Sequence, residues 1–300
     1  MISLSNPGKK WLQQGLLLFV CSTALVACGT LDGGLGGGGA SRGPRIAELD
    51  DPNNANPNAA TNNIGSLSEV ISRNPNDATA YNTRGAAYAR AGRFNEAASD
   101  FNRAIQLDPN LAPAFLNRGL ASRQNGRTDA ALADFSRAIS IDSNYAPAYL
   151  ARANLTRGQG DMQAAIADYN RAIQLNREGA EAYHGRGLAH QRLGDHVRAI
   201  ADFDGAIDRN PYVAPPYMGR GQSLVATGKF QPAIEDFNAA LNVDNKNGEA
   251  WAQRGVAYER LGNPKDANDS YQKALIVDPN NQTARSGSSR TGSGGGGWFR

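Results

Sequence analysis

Three histidines fall close together in the chain, His184, His190 and His196, and histidine is the side chain most often used for metal ligation and proton transfer. Their spacing argues against a shared site. Two ligands on one helical face need a separation of three or four residues, whereas a separation of six turns the second about 120° away. His190 reads instead as a packing residue. The stretch from Gly221 to Lys229 has the outline of a phosphate loop, but too many residues separate Gly221 from Gly228, and Phe230 stands where serine or threonine would be needed. The two cysteines, Cys21 and Cys28, lie near the N-terminus. The rest of the chain therefore has neither a disulfide framework nor a cysteine zinc site. No serine, histidine and aspartate arrangement stands out. These residues predict a protein that is not an enzyme and has no metal and no cofactor. A formal charge of +3 gives no case for nucleic acid as a partner.

The charged residues with a pattern are arginines and aspartates. Arg84, Arg118, Arg152, Arg186, Arg220 and Arg254 recur at intervals of 34 residues. Asp100, Asp134, Asp168, Asp202 and Asp236 follow five of them at a constant offset, with Ser270 after the sixth. Two readings remain open here: repeated ion pairs within or between structural units, or a basic ladder that binds a ligand.

The elements that position these residues follow from the same period. Aligned on the arginines, the chain divides into six units without insertion or deletion: 78–111, 112–145, 146–179, 180–213, 214–247 and 248–281. In each unit position 4 is aromatic, position 8 is Gly in all but one, position 15 is Gly, positions 20 and 27 are Ala, and position 24 is Phe or Tyr. Positions 4, 8 and 11 make one stripe of a first helix, and 20, 24, 27 and 28 one stripe of a second. The two stripes must face each other. Glycine inside a helix costs about 1 kcal/mol against alanine, so its recurrence at position 8 predicts close approach of the alanine at position 20. The glycines at position 15, Gly92 to Gly262, are placed to end the first helix in a left-handed residue. Pro113, Pro147 and Pro215 suit a first helical turn.

This pattern resembles the tetratricopeptide repeat (TPR) family. The resemblance implies an all-α solenoid, a right-handed superhelix of helix-turn-helix repeats, with partners held in a concave groove lined by the first helices at positions 2, 5, 9, 12 and 13. Here the groove residues include Leu116, Leu120, Arg123, Leu150, Asn154, Arg157, Leu188, Arg192 and Met218. Family members that grip a C-terminal carboxylate carry Lys and Asn at positions 5 and 9. The first repeat has Asn82 and Ala86 there, so a carboxylate clamp is not expected.

The ends differ in composition. Residues 1–27 have the basic and apolar layout of an export signal, with an apolar run of about 12 residues against the roughly 20 that span a bilayer. Leu25-Val26-Ala27-Cys28 resembles the lipobox of bacterial lipoproteins. The resemblance implies cleavage before Cys28, lipidation of Cys28, and outer-membrane sorting because Gly29 is not Asp. Residues 28–63 read as a flexible tether, rich in Gly and Asn. Leu67, Val70, Ile71 and Pro75 suggest a lone half-repeat helix over 64–77. Residues 282–300 read as a disordered tail, which would leave the sixth repeat uncapped and available to a second copy as a homodimer surface.

Lipobox and repeats together resemble the NlpI type of outer-membrane lipoprotein. They imply a lipid-anchored, periplasm-facing scaffold that binds protein or peptide partners, such as a protease or peptidoglycan hydrolases. An assembly factor for outer-membrane proteins or a pilus secretin shares that architecture. An enzyme subunit or small-ligand sensor is the alternative of another class.

Overall fold

The computed structural model describes the backbone of residues 57–292 and side chains from Asn63 onward. The signal segment, Cys28, Gly29, most of the tether and residues 293–300 lie outside it. The described residues form fourteen α-helices and no strand. Helix α1 (Pro57–Arg73) precedes six pairs: α2 (Ala78–Arg90) with α3 (Phe94–Leu107), α4 (Ala112–Gln124) with α5 (Thr128–Ile141), α6 (Ala146–Gly158) with α7 (Met162–Leu175), α8 (Ala180–Arg192) with α9 (His196–Arg209), α10 (Ala214–Ala226) with α11 (Phe230–Val243), and α12 (Gly248–Arg260) with α13 (Pro264–Val277). A last helix, α14 (Gln282–Gly292), follows. Each first helix begins at position 1 of its repeat and each second helix at position 17.

Local chemistry sets these boundaries. The six glycines at position 15 all adopt positive φ, from 71° at Gly126 to 91° at Gly160, a region open to glycine at little cost. The next N–H then turns back onto the first helix, as Arg93 N–H does to Tyr88 O at 2.9 Å. At the other turn an Asp or Asn side chain accepts from the backbone N–H two residues on, as Asp108 does from Asn110 at 2.9 Å. Pro113, Pro147 and Pro215 fall in the first turns of α4, α6 and α10, where a missing N–H costs nothing.

The core is a column of rings, Phe101, Phe135, Tyr169, Phe203, Phe237 and Tyr271, all fully or almost fully buried. Each ring lies against position 8 of its own repeat. A Cβ added to Gly85, Gly119, Gly187, Gly221 or Gly255 would come within 2.5 to 2.8 Å of it. The ring is the nearest neighbour, and at Gly85 the alanine expected there at position 20 also comes close, with the Ala97 carbonyl oxygen at 3.2 Å. Three rings press on the following repeat as well, Tyr169 on Gly185, Phe203 on Gly219 and Tyr271 on Gly287.

Successive first helices touch one another, α2 with α4, α4 with α6 and onward to α12 with α14, whereas no contact of that extent joins successive second helices. The first helices therefore form the inner face of the solenoid.

Both ends correct the sequence reading. Helix α1 starts at Pro57, inside the segment assigned to the tether, and it docks through Ile64 and Ile71 while Val70 is 44% exposed. The tail assigned as disordered from 282 instead forms α14, capped by the Asn281 side chain, which accepts from the Ala284 N–H at 2.9 Å. Ala284 and Gly287 are buried against the sixth repeat. The face offered above as an uncapped dimer surface is thus covered by α14. Deleting residues 282–300 removes packing around Tyr271 worth about 2 kcal/mol. The truncated protein should melt at least several degrees lower and associate with rising concentration; a melting curve and sedimentation equivalent to those of the full chain would contradict this account of the cap.

Candidate binding groove and its arginine frame

The repeating arginines are paired within each repeat, from the first helix to the second. Arg84 donates to Asp100 through Nε and Nη2, both at 2.8 Å. Arg118 with Asp134, Arg152 with Asp168, Arg186 with Asp202 and Arg220 with Asp236 have the same two-pronged geometry at 2.5 to 3.0 Å. The aspartates are buried, so these are charge-assisted bonds largely shielded from water. The hydrogen bond from Arg220 to Asp236 raises the arginine's pKa above its ordinary value, and the cation persists at any physiological pH. In the sixth repeat Ser270 replaces the aspartate. Burial there lowers the pKa of Arg254, and its guanidinium sits 4.2 Å from the centroid of the Trp251 ring. The corresponding distances in the other repeats are 5.5 to 5.9 Å.

A third contact escaped the sequence reading. Each arginine also donates through Nη1 to position 25 of the preceding unit: Arg84 to Ser68, Arg118 to Asn102, Arg152 to Ser136, Arg186 to Asn170, Arg220 to Asp204 and Arg254 to Asn238, at 2.5 to 3.2 Å. Position 25 is polar throughout, and that regularity was the available signal. One side chain therefore ties three helices together.

The groove residues of the inner face do not share one environment. Leu116 is 4% exposed and packs with Phe135, Ala151 and Leu155. Its assignment as a partner contact is corrected, because this side chain turns inward onto Ala151 and Leu155 of the next repeat. Leu150 and Met218 are half-buried against core clusters, and Arg123 is half-buried too. Arg192 is exposed and makes no ion pair among the described residues. Asn154 and Arg157 are brought together by a core residue. The Tyr169 hydroxyl donates to Asn154 Oδ1 at 2.6 Å and accepts from Arg157 Nε at 3.1 Å. The sixth repeat repeats the device with Tyr271, whose hydroxyl donates to Glu259 at 2.7 Å while Arg290 of α14 pairs with the same carboxylate at 2.8 Å. Tyrosine in place of phenylalanine at position 24 was visible in the sequence; its hydroxyl reaching the groove was not anticipated.

The histidines lie apart in role. His184 stands 5.8 Å from the Phe203 ring centroid, and burial, with Arg157 adding to it, lowers its pKa to about 4. It is neutral at physiological pH. Burial likewise lowers the pKa of His190, whose Nε2 is 3.8 Å from Asp202. His196 opens α9. Among the described residues no cluster of His, Cys, Asp or Glu could hold a metal ion, and no helix is long and apolar enough to cross a membrane.

Paired helices stacked in register, with one continuous inner face, define a helical-repeat protein of the class that presents a surface to other chains. The chain belongs to the tetratricopeptide repeat family. Family profiles described as tetratricopeptide repeat match residues 78–111, 112–145, 180–212 and 248–281, and one described as TPR repeat matches 157–194 and 221–262. No curated protein matches the chain in sequence. Among solved structures it is similar to the APC/C hetero-tetramer Cut9-Hcn1, at 18% identity and TM-score 0.64, covering 82% of this chain but only 50% of that one. It is similar to YrrB, a TPR protein with an unusual peptide-binding site, at 21% identity and TM-score 0.57, covering 64% of this chain and 99% of that one. PilW, a type IV pilus biogenesis factor, gives 16% identity and TM-score 0.63, covering 70% and 97%. At these identities the likenesses show the fold.

The arginine frame predicts coupled losses. Asp168→Ala and Arg152→Ala should each cost about 1–3 kcal/mol, with a coupling of about 1 kcal/mol or more in a double-mutant cycle of chemical denaturation. A variant at Arg152 that keeps its stability but loses partner binding would instead support a ligand-binding ladder.

Proposed function

We propose that the protein is a non-enzymatic, lipid-anchored scaffold of the bacterial cell envelope that holds an extended protein or peptide segment along the inner face of its solenoid. The observation that carries this reading is the Tyr169 device. Its hydroxyl fixes Asn154 and Arg157 side by side on the inner face and takes only one of the guanidinium's N–H groups. The N–H groups left over suit carbonyl or carboxylate acceptors on a bound chain, and the neighbouring Leu150, Leu188 and Met218 supply apolar surface for its side chains. Exposed Arg192 extends the polar row by one repeat.

Lipidation of Cys28, with Gly29 directing the protein to the outer membrane, would place this groove at the periplasmic side, tethered to the bilayer by the segment before α1. In that setting the scaffold would recruit enzymes such as a periplasmic protease or peptidoglycan hydrolases. A second reading, an assembly factor for outer-membrane proteins or a pilus secretin, draws on the likeness in fold to PilW. Co-purification from detergent-solubilised membranes separates the two by the class of partner recovered.

Two measurements test the proposal. Leu150 and Met218 contribute to packing, so the polar positions of the row, half-buried Asn154 and exposed Arg192, are the right ones to change. Asn154→Ala with Arg192→Glu should reduce partner capture at least tenfold while lowering the melting temperature by only the few degrees that losing one hydrogen bond with the Tyr169 hydroxyl costs, and undiminished capture would move the binding site off the inner face. Cys28→Ser should release the protein from the membrane fraction, and continued sedimentation with membranes would exclude lipid anchoring at that residue.

A further inference from the structure

The six junctions are so nearly identical that a departure at one can be judged against the others. Position 11 of a repeat and position 21 of the unit before it share a junction, as Leu224 with Ile200 and Tyr258 with Ile234 do in one apolar cluster and Ser122 with Ala98 do in one cleft. Position 11 is Tyr88, Ser122, Thr156, His190, Leu224 and Tyr258 in turn, and position 21 of the preceding unit is Ile64, Ala98, Leu132, Ile166, Ile200 and Ile234. Only at the second junction are both shortened. The result is a solvent-open cleft of about 340 Å³ lined by Ala98, Arg118, Ser122, Arg127, Ala130 and Asp134 among others. It lies apart from the Asn154 and Arg157 row of the inner face.

The first junction shows what fills such a place. There Tyr88 lies between two arginines, with Arg93 at 4.5 Å and Arg84 at 5.7 Å from its ring centroid. Arg118 and Arg127 hold the same two repeat positions at the second junction, and the ring between them is missing. Arg118 is already fixed by Asp134 and Asn102, so half of the frame is ordered before anything binds. Arg127 is exposed and makes no ion pair among the described residues. Two guanidinium groups across a gap floored by alanines and a serine offer cation–π contact on the faces of a flat ring. An aliphatic side chain would gain the apolar floor alone.

We propose that this cleft is a binding site for an aromatic side chain presented by a protein partner, its ring taking the place that Tyr88 occupies one repeat earlier. The inference does not depend on the groove reading, because the residues involved are different.

The test titrates the full chain with N-acetyl-tyrosinamide and, separately, N-acetyl-leucinamide, following saturation-transfer NMR at millimolar ligand. The tyrosine probe should bind and the leucine probe should bind at least severalfold more weakly. Ser122→Tyr should fill the site from within and abolish tyrosinamide binding. Ala98→Ile serves the same purpose if circular dichroism shows the first variant misfolded. Arg127→Ala should weaken binding about fivefold, the value of one partly exposed cation–π contact. The proposal is overturned by absence of tyrosinamide binding at millimolar concentration, by equal binding of the leucine probe, or by binding that survives both filling variants. Failure of the Asn154 and Arg192 experiment with success here would separate this site from the proposed groove.

Discussion

The interaction on which the structure depends is the contact of each position 7 arginine with three helices at once. A solenoid has no long-range closure, so each repeat holds its neighbours only through the interface it shares with them. Apolar packing of small residues supplies area but little direction, since alanines at positions 20 and 27 can slide on a ring. The guanidinium adds direction. Its two N–H groups on the aspartate fix the angle between the helices of one repeat, and the third, on Ser68, Asn102, Ser136, Asn170, Asp204 or Asn238, fixes the angle to the preceding unit. A planar fork can serve both at once, which an ammonium group could do only loosely.

The same constraint explains why the repeats carry so much glycine and alanine. With helices held at a set distance, the ring at position 24 must be accommodated by removing atoms from whatever faces it. At Gly185, Gly219 and Gly287 the neighbouring ring stands where a Cβ would be. The helical cost of glycine, about 1 kcal/mol each, is offset by the close approach of the ring at these positions, whereas in the third repeat Tyr169 is buried beside Ala153 instead. Helix α14 is an extreme case. Its sequence, QTARSGSSRTG, has little helical propensity, yet Gly287 admits Tyr271 and Ser288 accepts from Gln272 at 2.7 Å at the place where an arginine stands in the repeats. Tertiary docking makes this helix.

What the sequence disclosed and what it hid divide along these lines. Period, helix pairing, the glycine turns and the two helical stripes were legible because a 34-residue register is enforced by local chemistry that repeats. The lone helix before the first repeat was legible from the register, and only its start was misplaced, since α1 begins at Pro57; α14 was misread because composition was weighed there in place of register. Gln282 continues the 34-residue spacing, so Ala284 falls at position 3, as Ala250 does. The inner face was legible only in part. Position 5 was expected to face a partner, but how far a side chain protrudes depends on the size of residues in the next repeat, and beside Leu116 those are Ala151 and Leu155. The link from Tyr169 to Asn154 and Arg157 depends on a hydroxyl crossing between helices, which no single-helix pattern reveals.

A repeat protein built on such a strict frame writes its individuality in the exceptions. Where the frame is complete, side chains are committed to each other. Where one member changes, a group is released: Tyr for Phe at position 24 carries a hydroxyl to the inner face, Ser270 for Asp leaves Arg254 to the Trp251 ring, and Ser122 with Ala98 opens a gap between two arginines. None of these changes disturbs the register, because the remaining contacts of each arginine persist. The frame can therefore tolerate local substitution at one junction without propagating strain to the next, which lets separate binding features be placed along one solenoid.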